Sequence, residues 1–141
     1  MQDMVARAKE KWGGVHVLIN NAGILRDKSF AKMDMVDFEL VVKVHLIGSA
    51  NCTKAVWETM REQNYGRILM TASSTGLFGN FGQANYGAAK LGLAGFTKTL
   101  FPAINAAKIP PHGMAKGKFH GGVMTTTPRA LDSIDATPVS A

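Results

Sequence analysis

The chain has 141 residues, room for one domain, and its 46% apolar and 18% charged residues exclude a fully disordered polypeptide. Sixteen Lys and Arg against ten Asp and Glu give a net charge of +6, but these charges are scattered and do not cluster with aromatics, so no nucleic-acid surface is expected. No apolar run approaches the ~20 residues that span a bilayer, so no membrane is expected, and the single Cys52 excludes an intramolecular disulfide framework or a multi-cysteine zinc site.

The opening MQDMVARAKEKW carries charges where a secretory signal needs an apolar core. It reads as a helix over 2–12, ended by the Gly13-Gly14 pair. Val15-His16-Val17-Leu18-Ile19 is a short, mostly apolar run, the pattern of a parallel strand covered on both faces. Asp34, followed by Asp37, fits a helix N-cap with an acid in the first turn. Val36, Leu40 and Val44, then Cys52, Val56 and Met60, recur at four-residue spacing and predict one apolar stripe along a long helix, with Cys52 as a buried core thiol. Arg67-Ile68-Leu69-Met70-Thr71-Ala72 reads as a second buried strand. A Gly-rich loop from Gly76 to Gly82 leads to a third helix over 85–100. All five prolines lie beyond residue 100, and residues 101–141 read as an irregular, flexible tail. Alternating helices and strands predict an α/β layer with a parallel sheet.

Ser73, Tyr86 and Lys90 are the residues with a chemistry to offer. Ser73 follows the second strand, and ligands bind outside the carboxyl ends of strands in open α/β sheets. Tyr86 and Lys90 are four apart, on one face of the third helix. A phenol is a weak acid near neutrality, with a pKa of about 10, and a neighbouring ammonium favours its ionised form. Such a tyrosine can exchange a proton with a hydroxyl or carbonyl oxygen that a serine holds. Tyr-x-x-x-Lys alone carries little information, but here Asn20-Asn21-Ala22-Gly23 follows the first strand and Ser73 precedes Tyr86 by thirteen positions.

With these motifs in this order, the chain over about 2–100 resembles the short-chain dehydrogenase/reductase family. Asn21-Ala22-Gly23-Ile24-Leu25-Arg26-Asp27 and Gly79-Asn80-Phe81-Gly82-Gln83-Ala84-Asn85-Tyr86 look like the hydroxyacyl-CoA dehydrogenase part of peroxisomal multifunctional β-oxidation enzymes. The resemblance implies a partial Rossmann-like, doubly wound parallel sheet lacking the first strands and the C-terminal strands, in a domain over 1–100. It implies oxidation of a 3-hydroxyacyl-CoA to the 3-ketoacyl-CoA with NAD, or with NADP as the alternative. Tyr86 is then the acid/base, and Lys90 lowers its pKa and binds the cofactor ribose. Ser73 orients the substrate oxygen, while Asn21, Ala22 and Gly23 lie against the cofactor. His45 stands where many members have a catalytic Asn, as in the multifunctional enzymes, and backbone bonding is weighed against proton transfer for it. The resemblance further implies a homo-oligomeric family and a peroxisomal setting, otherwise a cytoplasmic one, although the chain ends Pro138-Val139-Ser140-Ala141 rather than in the Ser-Lys-Leu address.

The family's phosphate-binding motif Thr-Gly-x-x-x-Gly-x-Gly does not occur in the sequence, and the resemblance is expected to stop near Leu100, as in a fragment. Three readings therefore stand together: a hydroxyacyl-CoA dehydrogenase, a reductase of another carbonyl such as a 3-oxoacyl carrier-protein thioester, and a non-catalytic fragment of such an enzyme.

Overall fold

A computed structural model describes residues 1–106 and 119–125, with side chains through residue 100. Helix α1 (Gln2–Trp12) ends at Gly13, whose left-handed φ of 78° closes the helix with a hydrogen bond to the Lys9 carbonyl. Strand β1 (Val17–Asn20) follows. Helix α2 (Met35–Val42) starts at Asp34, whose carboxylate accepts the Val36 N–H at 2.8 Å, as the sequence predicts. A π turn (Lys43–Ile47) then joins α2 to α3 (Gly48–Glu62). Strand β2 (Gly66–Ala72), the short helix α4 (Ser74–Phe78) and the long helix α5 (Ala84–Ala106) complete the order, with a last strand β3 (Phe119–Thr125).

The sheet is parallel in the order β1-β2-β3. Val17 pairs with Arg67 and Asn20 with Met70 on one side of β2, and Gly66 pairs with Phe119 and Ala72 with Thr125 on the other. Val5 from α1, Val56 and Met60 from α3, Ile68 and Met70 from β2 and Leu93 from α5 form the buried cluster. Each element lends one face to it, and the β2 face lies between α3 and α5.

Four expectations need correction. The stretch beyond residue 100 was predicted irregular and without strands, yet α5 runs through Pro102 to Ala106 and Phe119–Thr125 forms a strand on β2. Proline's fixed φ is itself helical, and parallel pairing supplies order that Gly121-Gly122 hides from a propensity reading. Residues 107–118 and 126–141, the rest of the predicted flexible tail, lie outside the described residues. Strand β1 is not covered on both faces: Leu18 packs on the core while Val17 and Ile19 are half exposed among the described residues. The stripe Val36, Leu40, Val44 does not face the core, because α2 and the π turn bury Val41 and His45 instead. Cys52 is only partly buried, with Sγ 3.5 Å from the Met1 sulfur.

Candidate active site

The carboxyl ends of β1 and β2 lie side by side, because Asn20 and Met70 are register partners. The chain beyond each strand therefore opens onto the same edge of the sheet: Asn21-Ala22-Gly23 from β1, and Thr71, Ala72 and Ser73 from β2. Helix α5 packs against β2 and brings Tyr86 and Lys90 to it.

Lys90 is buried, and its ammonium donates to the Thr71 carbonyl. It also sits 5.4 Å from the centre of the Tyr86 ring. Burial pulls the Lys90 pKa below its ordinary value, since desolvation disfavours the charged form. An ammonium has three donors, and among the described residues only the Thr71 carbonyl accepts from it. Thr71 Oγ1 in turn donates to Asn21 Oδ1 at 3.1 Å, so Lys90, Thr71 and Asn21 form one chain of contacts across both strand ends.

Ser73 is buried at the last turn before α4 and caps that helix, its Oγ accepting the Thr75 N–H at 3.2 Å. Its hydroxyl proton stays available for a substrate oxygen. The structure thus joins Tyr86, Lys90 and Asn21 through direct contacts, while Ser73 is tied to Thr75 and sits just past the end of the strand that carries Thr71.

His45 occupies the π turn, a helical irregularity often found at functional sites. Its ring is buried and meets the Tyr86 ring edge-on, with centroids 5.2 Å apart and planes at 90°. Nε2 lies 3.1 Å from the Ile24 N–H and 2.8 Å from the Ile24 carbonyl, so one nitrogen faces a donor and an acceptor. Backbone bonding therefore holds His45, but to the segment after β1 and not to its own helix. Nδ1 is the one buried side-chain polar atom without a partner among the described residues. Desolvation and then the Lys90 charge lower the His45 pKa, against the Ile24 carbonyl, which raises it. Burial thus favours the neutral ring. Gly23 is required by this packing, since a Cβ on it would enter the His45 ring.

Residues 1–130 match the family described as short chain dehydrogenase. The chain belongs to that family. Mouse peroxisomal multifunctional enzyme type 2 (Mus musculus) is 45% identical over 135 residues, 96% of this chain and 18% of that protein. The Saccharomyces cerevisiae peroxisomal hydratase-dehydrogenase-epimerase is 57% identical over 99 residues, 70% of this chain and 11% of that one. A solved structure of full-length Drosophila melanogaster peroxisomal multifunctional enzyme type 2 superposes with a TM-score of 0.66 and 46% identity, over 82% of this chain and 20% of that one. The chain thus spans about a fifth or less of these three relatives. The family match to residue 130 corrects the expectation that resemblance stops near Leu100.

Two residues around these strand ends have no part in the expected site. Thr71 lies on β2 two positions before Ser73, which stays extended just past the strand, so period-two alternation puts both on one face and is a usable signal. Asn85, fully buried beside Tyr86, offered none, since an Asn at a helix start reads as ordinary local capping.

Proposed function

We propose that this chain forms the acid/base half of an NAD-dependent 3-hydroxyacyl-CoA dehydrogenase site. The observation that carries the reading is the buried Lys90 ammonium set against the Tyr86 ring and anchored on Thr71, at the strand ends next to Asn21. A positive charge there stabilises negative charge developing on the phenol oxygen. Tyr86 would take the proton of the 3-hydroxyl group, and Ser73 would donate a hydrogen bond to the same oxygen. The residues present fit the ribose and nicotinamide side of a dinucleotide. Lys90 has N–H donors to spare for a diol, and Asn21, Ala22 and Gly23 form an exposed segment of short side chains. When bound, NAD supplies the hydride acceptor, and NADP is the alternative. The names of the relatives support an acyl-CoA substrate and a peroxisomal setting: acetoacetyl-CoA reductase of Allochromatium vinosum is 46% identical over 97 residues. A family-type homo-oligomer belongs to the same reading.

The test is NADH formation by the purified chain with 3-hydroxybutyryl-CoA, followed by absorbance. Tyr86→Phe keeps the ring, removes the transferable proton and is expected to abolish turnover. Turnover that survives in that variant would sink the assignment. A second reading is a non-catalytic fragment of such an enzyme. Calorimetric titration with NAD separates the two: micromolar affinity supports the enzyme, and no heat supports the non-catalytic reading.

A further inference from the structure

The start of α5 is tied three times to the segment that follows β1. The Lys28 N–H donates to the Gly82 carbonyl at 2.9 Å, Gln83 Nε2 donates to Asp27 Oδ2 at 2.7 Å, and Asn85 Nδ2 donates to the Arg26 carbonyl at 3.0 Å. Positions 82, 83 and 85 thus face 28, 27 and 26 in reverse order. The ties differ in character. The Gln83–Asp27 bond is exposed, and water can replace either partner. Asn85 is fully buried, and its second end is also engaged: Oδ1 accepts the Tyr86 N–H at 2.7 Å. That N–H lies in the first turn of α5, where no intrahelical acceptor exists. One buried amide therefore satisfies two backbone groups 60 positions apart in the chain, Arg26 and Tyr86.

We infer that Asn85 is a positioning residue that latches the Tyr86 turn of α5 to the Asn21–Lys28 segment, holding the acid/base phenol and the dinucleotide-facing residues at one spacing. The roles of phenol and segment rest on the function proposed above; the latch itself does not. A buried group that loses its partner carries its full desolvation penalty, so the latch resists opening more than the two flanking ties.

Asn85→Asp separates the two bonds, because a carboxylate still accepts from the Tyr86 N–H but offers no donor to the Arg26 carbonyl. Hydrogen exchange on the full chain is expected to show the amides of 24–28 exchanging about ten-fold faster in Asn85→Asp, as the loss of one buried hydrogen bond predicts, with the Tyr86 N–H still protected. Asn85→Ala speeds exchange at both places, and Gln83→Ala, which of the three ties removes only the exposed one and otherwise loses contacts to Thr75 and Asn80, changes either by less than about three-fold. The tyrosine ring resonances give the readout that general loosening would not: Tyr86 shifts in Asn85→Asp while Tyr65, at the amino end of β2, stays in place. Unchanged exchange over 24–28, or the two tyrosines moving together, overturns the latch. Should the variants not fold, the unaltered chain decides, since Asn85 side-chain amide protons are expected to exchange slower than those of exposed Asn80, and equal rates overturn the proposal. A chain that passes these tests but oxidises no hydroxyacyl-CoA keeps the latch and loses the functional reading; an active chain with an unchanged 24–28 segment does the reverse.

Discussion

The π turn at Lys43–Ile47 separates two helices that treat their apolar residues in opposite ways. Helix α2, Met-Val-Asp-Phe-Glu-Leu-Val-Val, is rich in apolar residues, yet Met35, Val36 and Leu40 are exposed and only Val41 is buried. Helix α3 is more polar, and it buries Ser49, Thr53 and Thr59 together with Val56 and Met60. The buried polar residues are not orphans: Ser49 Oγ donates to the His45 carbonyl and Thr53 Oγ1 accepts from Asn20 Nδ2. Small hydroxyl side chains that find partners on their own helix or on β1 let α3 lie close to the sheet, where larger apolar ones would stand it off. Amount of apolar surface and depth of burial are therefore separate properties, and the turn between the helices decides which face is which.

The largest effect should come from breaking that contrast in α3. Met60 is fully buried in the central cluster, so Met60→Ala is expected to cost about 2–5 kcal/mol in denaturant unfolding. Val36→Ala, on the exposed face of α2, should stay within about 0.5 kcal/mol of the unaltered chain. Equal costs would mean that α2 buries its stripe after all.

Next comes the seam where the π turn meets the segment after β1. Gly23→Ala drives a methyl group into the His45 ring, and overpacking of this kind costs about 1–3 kcal/mol. The His45 ring signals should shift with it, and an unperturbed histidine would show that the ring has room to give way.

The same seam shows how far the sequence carried. Turn and cap chemistry was legible, because it is local: Gly13 and Asp34 do what their residue types predict. The strand runs and the Tyr86–Lys90 pairing were legible for a related reason, since spacing alone sets which side chains share a face. The phase of the long helix was not, because one π turn shifts the face by a residue's rotation and leaves a four-residue spacing intact on paper. Nor was β3, whose order comes from pairing with a strand about 50 positions earlier. Asn85 acts across a similar separation, so its sequence neighbours say nothing of Arg26.

A smaller effect follows from the charge state of His45. Its pKa lies below the ordinary histidine value in the folded chain, mainly through desolvation. Between the folded value and about 6.5 the unfolded chain binds a proton that the folded chain does not. Stability therefore falls as pH drops below about 6.5, with a slope of at most about 1.4 kcal/mol per pH unit from this group. His45→Asn should flatten the curve between about pH 7 and about pH 5.5, where carboxylates contribute little. An identical slope in that variant would remove His45 as the cause.

The last contrast compares two N-caps, one on each kind of helix. Asp34 caps α2 through the Val36 N–H, and Ser73 caps α4 through the Thr75 N–H. Asp34 is exposed, and its carboxylate also meets the positive end of the α2 dipole. Asp34→Ala is expected to cost about 1 kcal/mol, and Asp34→Ser or Asp34→Asn a few tenths. Because α2 buries little, the loss should appear first as faster hydrogen exchange at 35–38 and only then as a lower unfolding midpoint. On the proposed function Ser73 also holds the substrate oxygen, so Ser73→Ala should lower hydroxyacyl-CoA turnover far more than stability, α4 being only five residues long. If both substitutions act on stability alone, Ser73 is a cap and nothing more, and the substrate oxygen must be held by another group at the same strand ends.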